Sequence, residues 1–191
     1  MKNIEHNIPH IISKKIVFKG KYLNFVVSEY SDSSGIIRQW EYFERVNCKG
    51  IVVIVPVTDN NELILIKQFR PPLNRYVIEF PAGLNDKGGT LEQAALRELE
   101  EETGYTAKEI IHISEGPMSS GSSGEIITVY LARKLIFKGI SGRDETEDIE
   151  VLIIPSEKLF ETLEELKTQG NLIDLKIYGF FELAMRFMES L

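Results

Sequence analysis

Three glutamates near the end of one helical segment are the residues of this chain best suited to chemistry. At ~100° per residue, Glu98, Glu101 and Glu102 fall within one arc of about 100° on a helix. Like charges at this spacing repel, and anions near a helix C-terminus oppose the macrodipole, each by a few tenths of a kcal/mol. A partner cation would offset this repulsion. The spacing therefore predicts a metal-binding patch.

The residues around the patch indicate which kind of cation it would bind. The apolar face of the helix continues into it and consists of Leu91, Ala94 and Ala95. Hard divalent ions such as Mg²⁺ take oxygen ligands and commonly bridge carboxylates to substrate phosphates. Arg97 precedes Glu101 by four residues and can pair with it. The alternative is a solvated acidic helix face, which we accept for Glu100 on the other side of the helix.

Strands and one well-delimited helix must position these carboxylates. Strand-like runs bounded by turn residues occupy Lys15–Tyr30, Ile37–Val46, Gly50–Val57, Glu62–Phe69 and Tyr76–Phe80. Thr90 with Gln93 forms a capping box and Gly104 a left-handed stop, so a helix is predicted over Thr90–Thr103. Further strands are predicted near Glu125–Ala132 and Ile149–Ile154. Two helical stretches follow, the last at Leu175–Leu191.

Gly50–Val57 is apolar throughout, as expected of a strand covered on both faces. Strands and helices alternate without a strict βαβ order, which predicts an α/β fold with a mixed sheet and helices on its faces. A length of 191 residues leaves room for one compact domain with an appendage. With 43% hydrophobic residues the chain can bury a sizeable core.

Charge and cysteine content exclude several classes of protein. A formal net charge of −7 argues against a nucleic-acid partner held by phosphate neutralisation. Cys48 is the only cysteine, which excludes an internal disulfide and a cysteine-based zinc cluster and fits a reducing cytoplasm. Met1–Ser13 lacks the apolar core of a signal peptide, and no apolar run approaches the ~20 residues of a membrane span. We therefore expect no membrane partner.

The stretch from Gly83 to Tyr105 resembles the Nudix box, with the pattern G-x5-E-x7-R-E-U-x-E-E-x-G-U, where U is a bulky apolar residue. The matching residues are Gly83, Arg97, Glu98, Leu99, Glu101, Glu102, Gly104 and Tyr105. Gly89 stands where the pattern has its first Glu. The resemblance implies a Nudix α/β/α sandwich and hydrolysis of a diphosphate bond in a nucleoside diphosphate linked to another group.

The resemblance also assigns roles within the box. Glu98 and Glu102 would be the principal metal ligands and Glu101 a further one. The carbonyl of Ala82 matches a backbone ligand. Mg²⁺ would be the cofactor, with Mn²⁺ as a substitute, and Arg97 and Glu98 would belong to the catalytic residues.

From Lys14 to Met188 the chain is most similar to ADP-ribose (ADP-sugar) pyrophosphatases. Gln68–Pro72 and Glu79–Gly83 resemble their run into the box. In that family the arginine at the position of Arg70 contacts the phosphate or ribose region of the substrate. A surface salt bridge is the alternative interpretation of this arginine.

Four residues near the N-terminus match the family's base site. Tyr22 and Trp40 take the places of two rings that sandwich adenine, and Glu41 and Arg45 those of an acidic residue and an arginine. Hydrophobic packing is an equally good interpretation of Trp40. In the family this segment is exchanged across a two-fold dimer, so the resemblance implies a homodimer. We accordingly expect an N-terminal antiparallel β-hairpin segment over residues 1–47, for dimerisation and base binding, and a Nudix domain over 48–191.

Two segments downstream of the box complete the resemblance. Lys138–Glu150 is similar to the acidic loop of these enzymes, in which an E-x-E-D-I pattern makes Glu145 the candidate general base and Glu147 a metal ligand. A solvated acidic loop is the alternative. In Pro117–Gly121, Ser120 replaces the Pro of a Ser-Pro-Gly run. This departure leaves room for other nucleoside diphosphate sugars.

The expected activity is Mg²⁺-dependent cleavage of ADP-ribose, or a related nucleoside diphosphate sugar, to a nucleoside monophosphate and a sugar phosphate. The first alternative is a GDP-mannose-type hydrolase. The second, from another class, is a Nudix-fold module that senses ADP-ribose without hydrolysing it.

Overall fold

The computed structural model of the chain describes residues 7–140 and 148–190, which belong to two compact units. One unit combines the described part of residues 1–48 with residues 117–126, and the other combines 49–116 with the described part of 127–191. The sequence suggested one boundary, near residues 47 and 48. The inclusion of residues 117–126 in the first unit was not predicted.

The first unit contains a three-stranded antiparallel sheet in the order β1-β2-β3. Its strands are β1 (His10–Lys19), β2 (Leu23–Ser31) and β3 (Ile37–Arg45). The prediction of one strand over Lys15–Tyr30 is wrong, because the Gly20 N–H donates to the Leu23 carbonyl at 2.9 Å and closes a turn between β1 and β2. A side chain at Gly20 would overlap that carbonyl.

The second unit contains two four-stranded sheets and the helices. Its elements are β4 (Ile51–Pro56), β5 (Glu62–Arg70), β6 (Arg75–Glu79), β7 (Ala82–Leu84), α1 (Leu91–Thr103), β8 (Tyr105–Pro117), β9 (Ile126–Phe137), β10 (Ile149–Pro155), α2 (Leu159–Thr168), β11 (Leu172–Ile173) and α3 (Lys176–Glu189). One sheet has the order β7-β4-β9-β8, with β4 parallel to β9 and antiparallel to β7. The other has the order β10-β5-β6-β11, with β6 parallel to β11. The mixed α/β architecture is as predicted.

Strand β4 separates the two parts of the core, because successive side chains of a strand point to opposite faces. Val52 and Ile54 pack in the cluster that contains Ala94, Ala95 and Leu99 of α1. Val53 and Val55 pack in the larger cluster. Its helical members include Leu159 and Leu163 of α2 and Ile177 and Phe181 of α3. The sequence-based view of Gly50–Val57 as a strand covered on both faces is confirmed.

Strand β8 was missed from the sequence. None of its side chains is fully buried, and Lys108 and Glu109 interrupt its apolar pattern, so the period-two signal of a half-buried strand is weak. Among the described residues, no helix is long and apolar enough to cross a membrane.

Candidate active site

The entry into α1 is held by backbone and side-chain hydrogen bonds. The Asn85 N–H donates to the Gly50 carbonyl at 2.9 Å, and the Asn85 amide donates to the Gly89 carbonyl at 3.1 Å. The Thr90 hydroxyl accepts from the Gln93 N–H at 3.2 Å, while the Gln93 carbonyl oxygen Oε1 accepts from the Thr90 N–H at 3.0 Å. Gly104 closes the helix with a φ of +78°. Both predicted helix ends are confirmed.

Gly83 lets β7 and α1 approach closely. A Cβ atom at this position would overlap Cγ and Cδ of Glu98. The first glycine of the motif therefore leaves space for a carboxylate of the same motif, fifteen residues further along the chain (98 − 83 = 15).

The three carboxylates of the patch have different partners. Glu102 is 4% exposed, and its Oε2 accepts from the Ala82 N–H at 3.0 Å. Glu98 lies 2.6 Å from Nη1 of Arg97, and Oε2 of Glu101 lies 3.0 Å from the same nitrogen. Lys87 adds a second cation to Glu101 at 3.1 Å. The pairing of Arg97 with Glu101 is as predicted.

Arg97 is fixed by the backbone as well, because its Nη2 donates to the Leu84 carbonyl at 2.9 Å. Glu100, which we assigned to the solvated side of the helix, pairs with Lys138 at 3.3 Å.

Burial disfavours the negative charge of Glu98. Burial raises the pKa of the Glu98 carboxyl above its usual range, and the neighbouring Glu101 raises it further, while Arg97 and Lys87 oppose the shift. A carboxylate that burial penalises in this way favours an additional cation. The available donors are carboxylate and backbone oxygens, which suit a hard divalent ion.

The described residues do not form a closed metal site as they stand. Within residues 7–140 and 148–190, no three acidic, His or Cys side chains converge closely enough to hold a metal ion. Two of the patch carboxylates are bound to Arg97, and the third is bound to a backbone N–H. Arg97 binds one oxygen of Glu98 and one of Glu101, and a carboxylate has further lone pairs that can accept a cation.

Arg70 lies on β5 in a two-pronged ion pair with Glu79 of β6. Its Nε and Nη2 donate to Oε1 and Oε2 of Glu79 at 2.7 and 2.8 Å. Arg70 therefore does form a salt bridge, the alternative considered from the sequence, with its own side chain 39% exposed and that of Glu79 11% exposed. The hydrogen bond to Glu79 raises the pKa of Arg70 despite partial burial, and the charges of Glu102 and Asp174 contribute.

The four predicted base-site residues do not form one cluster within a chain. Leu23 pairs with Arg45 and Ser28 with Trp40 across β2 and β3, so Trp40 and Arg45 are five residues apart, or about 17 Å along the strand. Tyr22 lies at the Arg45 end, since its carbonyl accepts from the Val46 N–H at 2.9 Å. Alternation along the strand places Trp40 on one face and Glu41 and Arg45 on the other.

Residues 117–126 fix two of these side chains. The Trp40 indole N–H donates to the Gly121 carbonyl at 2.9 Å, and Arg45 binds Glu125 at 2.6 Å. Trp40 is nevertheless 50% exposed and Tyr22 68%, so both rings retain free surface. The ion pair of Arg45 with Glu125 was not predicted, because it joins segments eighty residues apart (125 − 45 = 80).

Glu145 and Glu147 lie outside the described residues, and their roles stay predictions. The residues that follow them are described. Asp148 is hydrogen bonded to the Tyr76 hydroxyl, and Ile149 pairs with Gln68 in the sheet. The first residue of β10, Ile149, therefore lies opposite Gln68, two residues from Arg70 on β5.

Comparisons with known proteins agree on one family. The model of the NUDIX domain matches residues 49–176. The chain is 38% identical over 165 residues to the ADP-ribose pyrophosphatase of Bacillus subtilis (strain 168), with 86% of each chain covered. It is 35% identical over 197 residues to the ADP-sugar pyrophosphatase of Mus musculus, with 94% of this chain and 88% of the relative covered.

A solved structure, described as the crystal structure of ADP compounds hydrolase, superposes with a TM-score of 0.80 at 23% identity. The superposition covers 97% of this chain and 96% of the other, and it shows a common fold. The resemblance drawn from the box is thus confirmed by the domain match, by relatives over most of the chain and by the architecture. This protein belongs to the Nudix family.

Proposed function

We propose that this protein hydrolyses the diphosphate bond of ADP-ribose, or of a closely related nucleoside diphosphate sugar, with Mg²⁺ as the cofactor. The products are a nucleoside monophosphate and a sugar phosphate. The carboxylate patch carries the proposal, because α1 holds Glu98 partly buried against Gly83, beside Glu101, and burial raises the pKa of its carboxyl. The names of the relatives, ADP-ribose and ADP-sugar pyrophosphatase, support the substrate class.

The patch fits a divalent ion by its chemistry. Glu98, Glu101 and Glu102 offer carboxylate oxygens, and Ala82 offers a backbone carbonyl. When bound, the ion neutralises the diphosphate, polarises its phosphorus and lowers the pKa of an attacking water. Mn²⁺ is the expected substitute because it accepts the same oxygen ligands.

The chain's own residues orient the substrate and move the proton. Arg70 binds oxygens of the diphosphate through N–H groups that Glu79 does not occupy. Glu145 takes the proton from the attacking water, and Glu147 assists in metal binding. Arg97 keeps Glu98 and Glu101 in place through its bond to the Leu84 carbonyl.

A homodimer with an exchanged N-terminal segment completes the base site. One chain supports only part of the site, since Trp40 lies about 17 Å along the sheet from Arg45 and on the opposite face. We assign Tyr22, Glu41 and Arg45 to one chain and Trp40 to its partner, because Glu41 and Arg45 share a face of the sheet. Apolar side chains exposed on β1, such as Val17 and Phe18 at 48% and 66%, support a partner for this sheet. The single cysteine, Cys48, supports a cytoplasmic location.

A substrate panel tests the proposal. ADP-ribose, ADP-glucose, GDP-mannose, UDP-glucose, NADH and diadenosine polyphosphates are each incubated with the protein and either Mg²⁺ or EDTA, and phosphate-ester release is measured. We expect cleavage of ADP-ribose to be the fastest and to stop with EDTA. Faster cleavage of GDP-mannose would identify a GDP-mannose-type hydrolase. Binding of ADP-ribose without cleavage would identify a sensor.

Glu145→Gln tests the assigned base. We expect it to lower kcat by about 10²- to 10⁴-fold, the usual contribution of a general base, while ADP-ribose binding is retained. Glu157→Gln, in the turn before α2, is the control with the same charge change. Normal turnover by Glu145→Gln would contradict the assignment.

A further inference from the structure

The partly buried ion pair between Arg70 and Glu79 joins residues that are not opposite each other in the sheet. In the antiparallel pairing of β5 with β6, Arg70 faces Arg75, Gln68 faces Val77 and Ile66 faces Glu79. The residues of these three pairs therefore lie on the same face of the sheet. The Arg70 side chain therefore runs back along its strand, past the Gln68 pair, to reach Glu79. It also turns away from the like charge directly opposite.

The ion pair leaves part of the guanidinium free. Arginine has five N–H donors in a rigid fork, and two of its nitrogens, Nε and Nη2, bind Glu79. The Nη1 group and the second N–H of Nη2 are outside this interaction. The Arg70 side chain is 39% exposed and that of Glu79 only 11%. The carboxylate of the pair is therefore mostly buried, while part of the guanidinium is exposed to solvent.

The free donors lie in the field of the carboxylate patch. The charge of Glu102, on α1, contributes to raising the pKa of Arg70. The N–H of Ala82, at the start of β7, donates to the same Glu102. An anion bound by Arg70 would lie beside the carboxylates that we assign to the metal.

Stability alone does not explain this ion pair. Two well-packed apolar residues are often at least as stabilising as an ion pair whose carboxylate is removed from water, as that of Glu79 is. A two-pronged pair does fix the plane of a guanidinium, which a single contact cannot do.

We propose that Glu79 is a positioning residue, which holds the Arg70 guanidinium in the orientation that binds the diphosphate of the substrate. This inference rests on the proposed function for the substrate class. It adds a residue to which neither the motif nor the comparisons give a role.

Steady-state kinetics with ADP-ribose and Mg²⁺ test it in Glu79→Gln, Arg70→Ala and the double variant. Glu79→Gln keeps the shape of the side chain but places an N–H₂ group against one N–H of Arg70. We expect KM to rise about tenfold with little change in kcat, because an interaction present in both ground and transition states changes KM alone. In the Arg70→Ala background, Glu79→Gln should have no further effect on KM.

Two control variants separate the orientation of the Arg70 guanidinium from the general effect of removing a charge. Arg75→Ala removes a positive charge from the residue opposite Arg70, and among the described residues Arg75 has no ion-pair partner. Glu182→Gln removes the carboxylate of another Arg–Glu pair, with Arg186 at the same 2.7 Å, on the exposed surface of α3. Both should keep the KM of the unmodified protein. If Glu79→Gln does not fold, Glu79→Asp replaces it, since it keeps the buried charge but shortens its reach.

Binding of the non-hydrolysable α,β-methylene analogue of ADP-ribose, measured by calorimetry with Mg²⁺, separates this inference from the proposed function. Analogue binding that weakens in Glu79→Gln, in a protein that does not cleave ADP-ribose, would support the positioning role and refute the activity. An unchanged KM in a folded Glu79 variant would overturn the inference. So would a rise in KM of the same size when Glu79→Gln is added to Arg70→Ala, or a failure of the unmodified protein to bind the analogue.

Discussion

Gly83 leaves the space in which the Glu98 side chain lies. Its missing side chain is what allows the Glu98 carboxylate to lie beside β7. The motif spacing predicted that both residues matter, but it did not indicate that they touch. That contact joins a strand to a helix, and its distance depends on how α1 packs on Val52 and Ile54.

Gly83→Ala tests this contact. The added methyl group would displace the Glu98 side chain, and a displacement of about 1 Å at a catalytic group can lower the rate about 10²-fold. We expect kcat/KM to fall by about that factor while circular dichroism remains unchanged. Gly116→Ala is the control, because a Cβ there meets no atom within 4 Å. An active Gly83→Ala would mean that Glu98 can function from another position.

The local structure at position 89 suits the glycine that stands where the motif has a Glu. Its φ is +88°, and a Cβ would lie 2.5 Å from Oε1 of Gln93, the atom that caps the Thr90 N–H. The capping box and a side chain at position 89 therefore compete for the same space.

Gly89→Glu, which restores the family's residue, should lower the free energy of unfolding by about 1–2 kcal/mol, through left-handed backbone strain and a weakened cap. We expect no gain in turnover. Urea denaturation and ADP-ribose kinetics provide the two readouts, and Gly88→Glu, at a φ of +83° with nothing within 4 Å, separates strain from the cap. A more active Gly89→Glu would show that the missing carboxylate limits catalysis.

At the scale of elements, local signals predicted α1 and missed the long-range contacts. The capping box and the stop at Gly104 are local, and both helix ends agree with the structure. The partners of Arg70 and Arg45 come from strand register and from residues 117–126, and a single sequence does not contain that register. Local signals also failed twice, at the turn that Gly20 closes with Leu23 and in β8, where Lys108 and Glu109 interrupt the apolar pattern.

The turn at Ser119–Ser122 explains how Ser120 replaces a proline. The Ser122 N–H donates to the Ser119 carbonyl at 2.9 Å, so Ser120 occupies the second position of a β-turn, where proline is favoured. The bond to Trp40 comes from the next residue, Gly121. The backbone therefore keeps a conformation that a proline could adopt.

Ser120→Pro should raise the free energy of unfolding by about 0.4–1 kcal/mol, because it restricts the unfolded chain. We expect the order of preferred sugars to stay the same. Thermal unfolding and the substrate panel measure the two effects. Ser122→Pro, which removes a bonded N–H, is the destabilising control. A changed sugar preference in Ser120→Pro would make residue 120 a determinant of specificity.

At the scale of the whole molecule, metal binding and stability should be coupled. An ion that binds only the folded chain stabilises it, by about 2.7 kcal/mol at a hundred times its dissociation constant. For a chain of this size, that corresponds to a rise in Tm of roughly 5–10 °C. The carboxylates of α1 are the expected source of this effect.

Calorimetric melting with Mg²⁺ and with EDTA measures the coupling. We expect Glu98→Gln to lose the Mg²⁺-dependent rise in Tm. Glu100→Gln, which lies on the same helix and pairs with Lys138, should keep it. An Mg²⁺ effect that survives in Glu98→Gln would place the ion elsewhere.

The discontinuous first unit also has a consequence for synthesis on the ribosome. Strands β1 to β3 are translated early, but the carbonyl that binds Trp40 and the carboxylate that binds Arg45 belong to residues 117–126. At about 5–20 residues per second, the 69 residues from 48 to 117 (117 − 48 = 69) delay these partners by several seconds. During that interval the nascent sheet carries its exposed apolar side chains without these partners, and transiently exposed apolar surface of this kind favours aggregation.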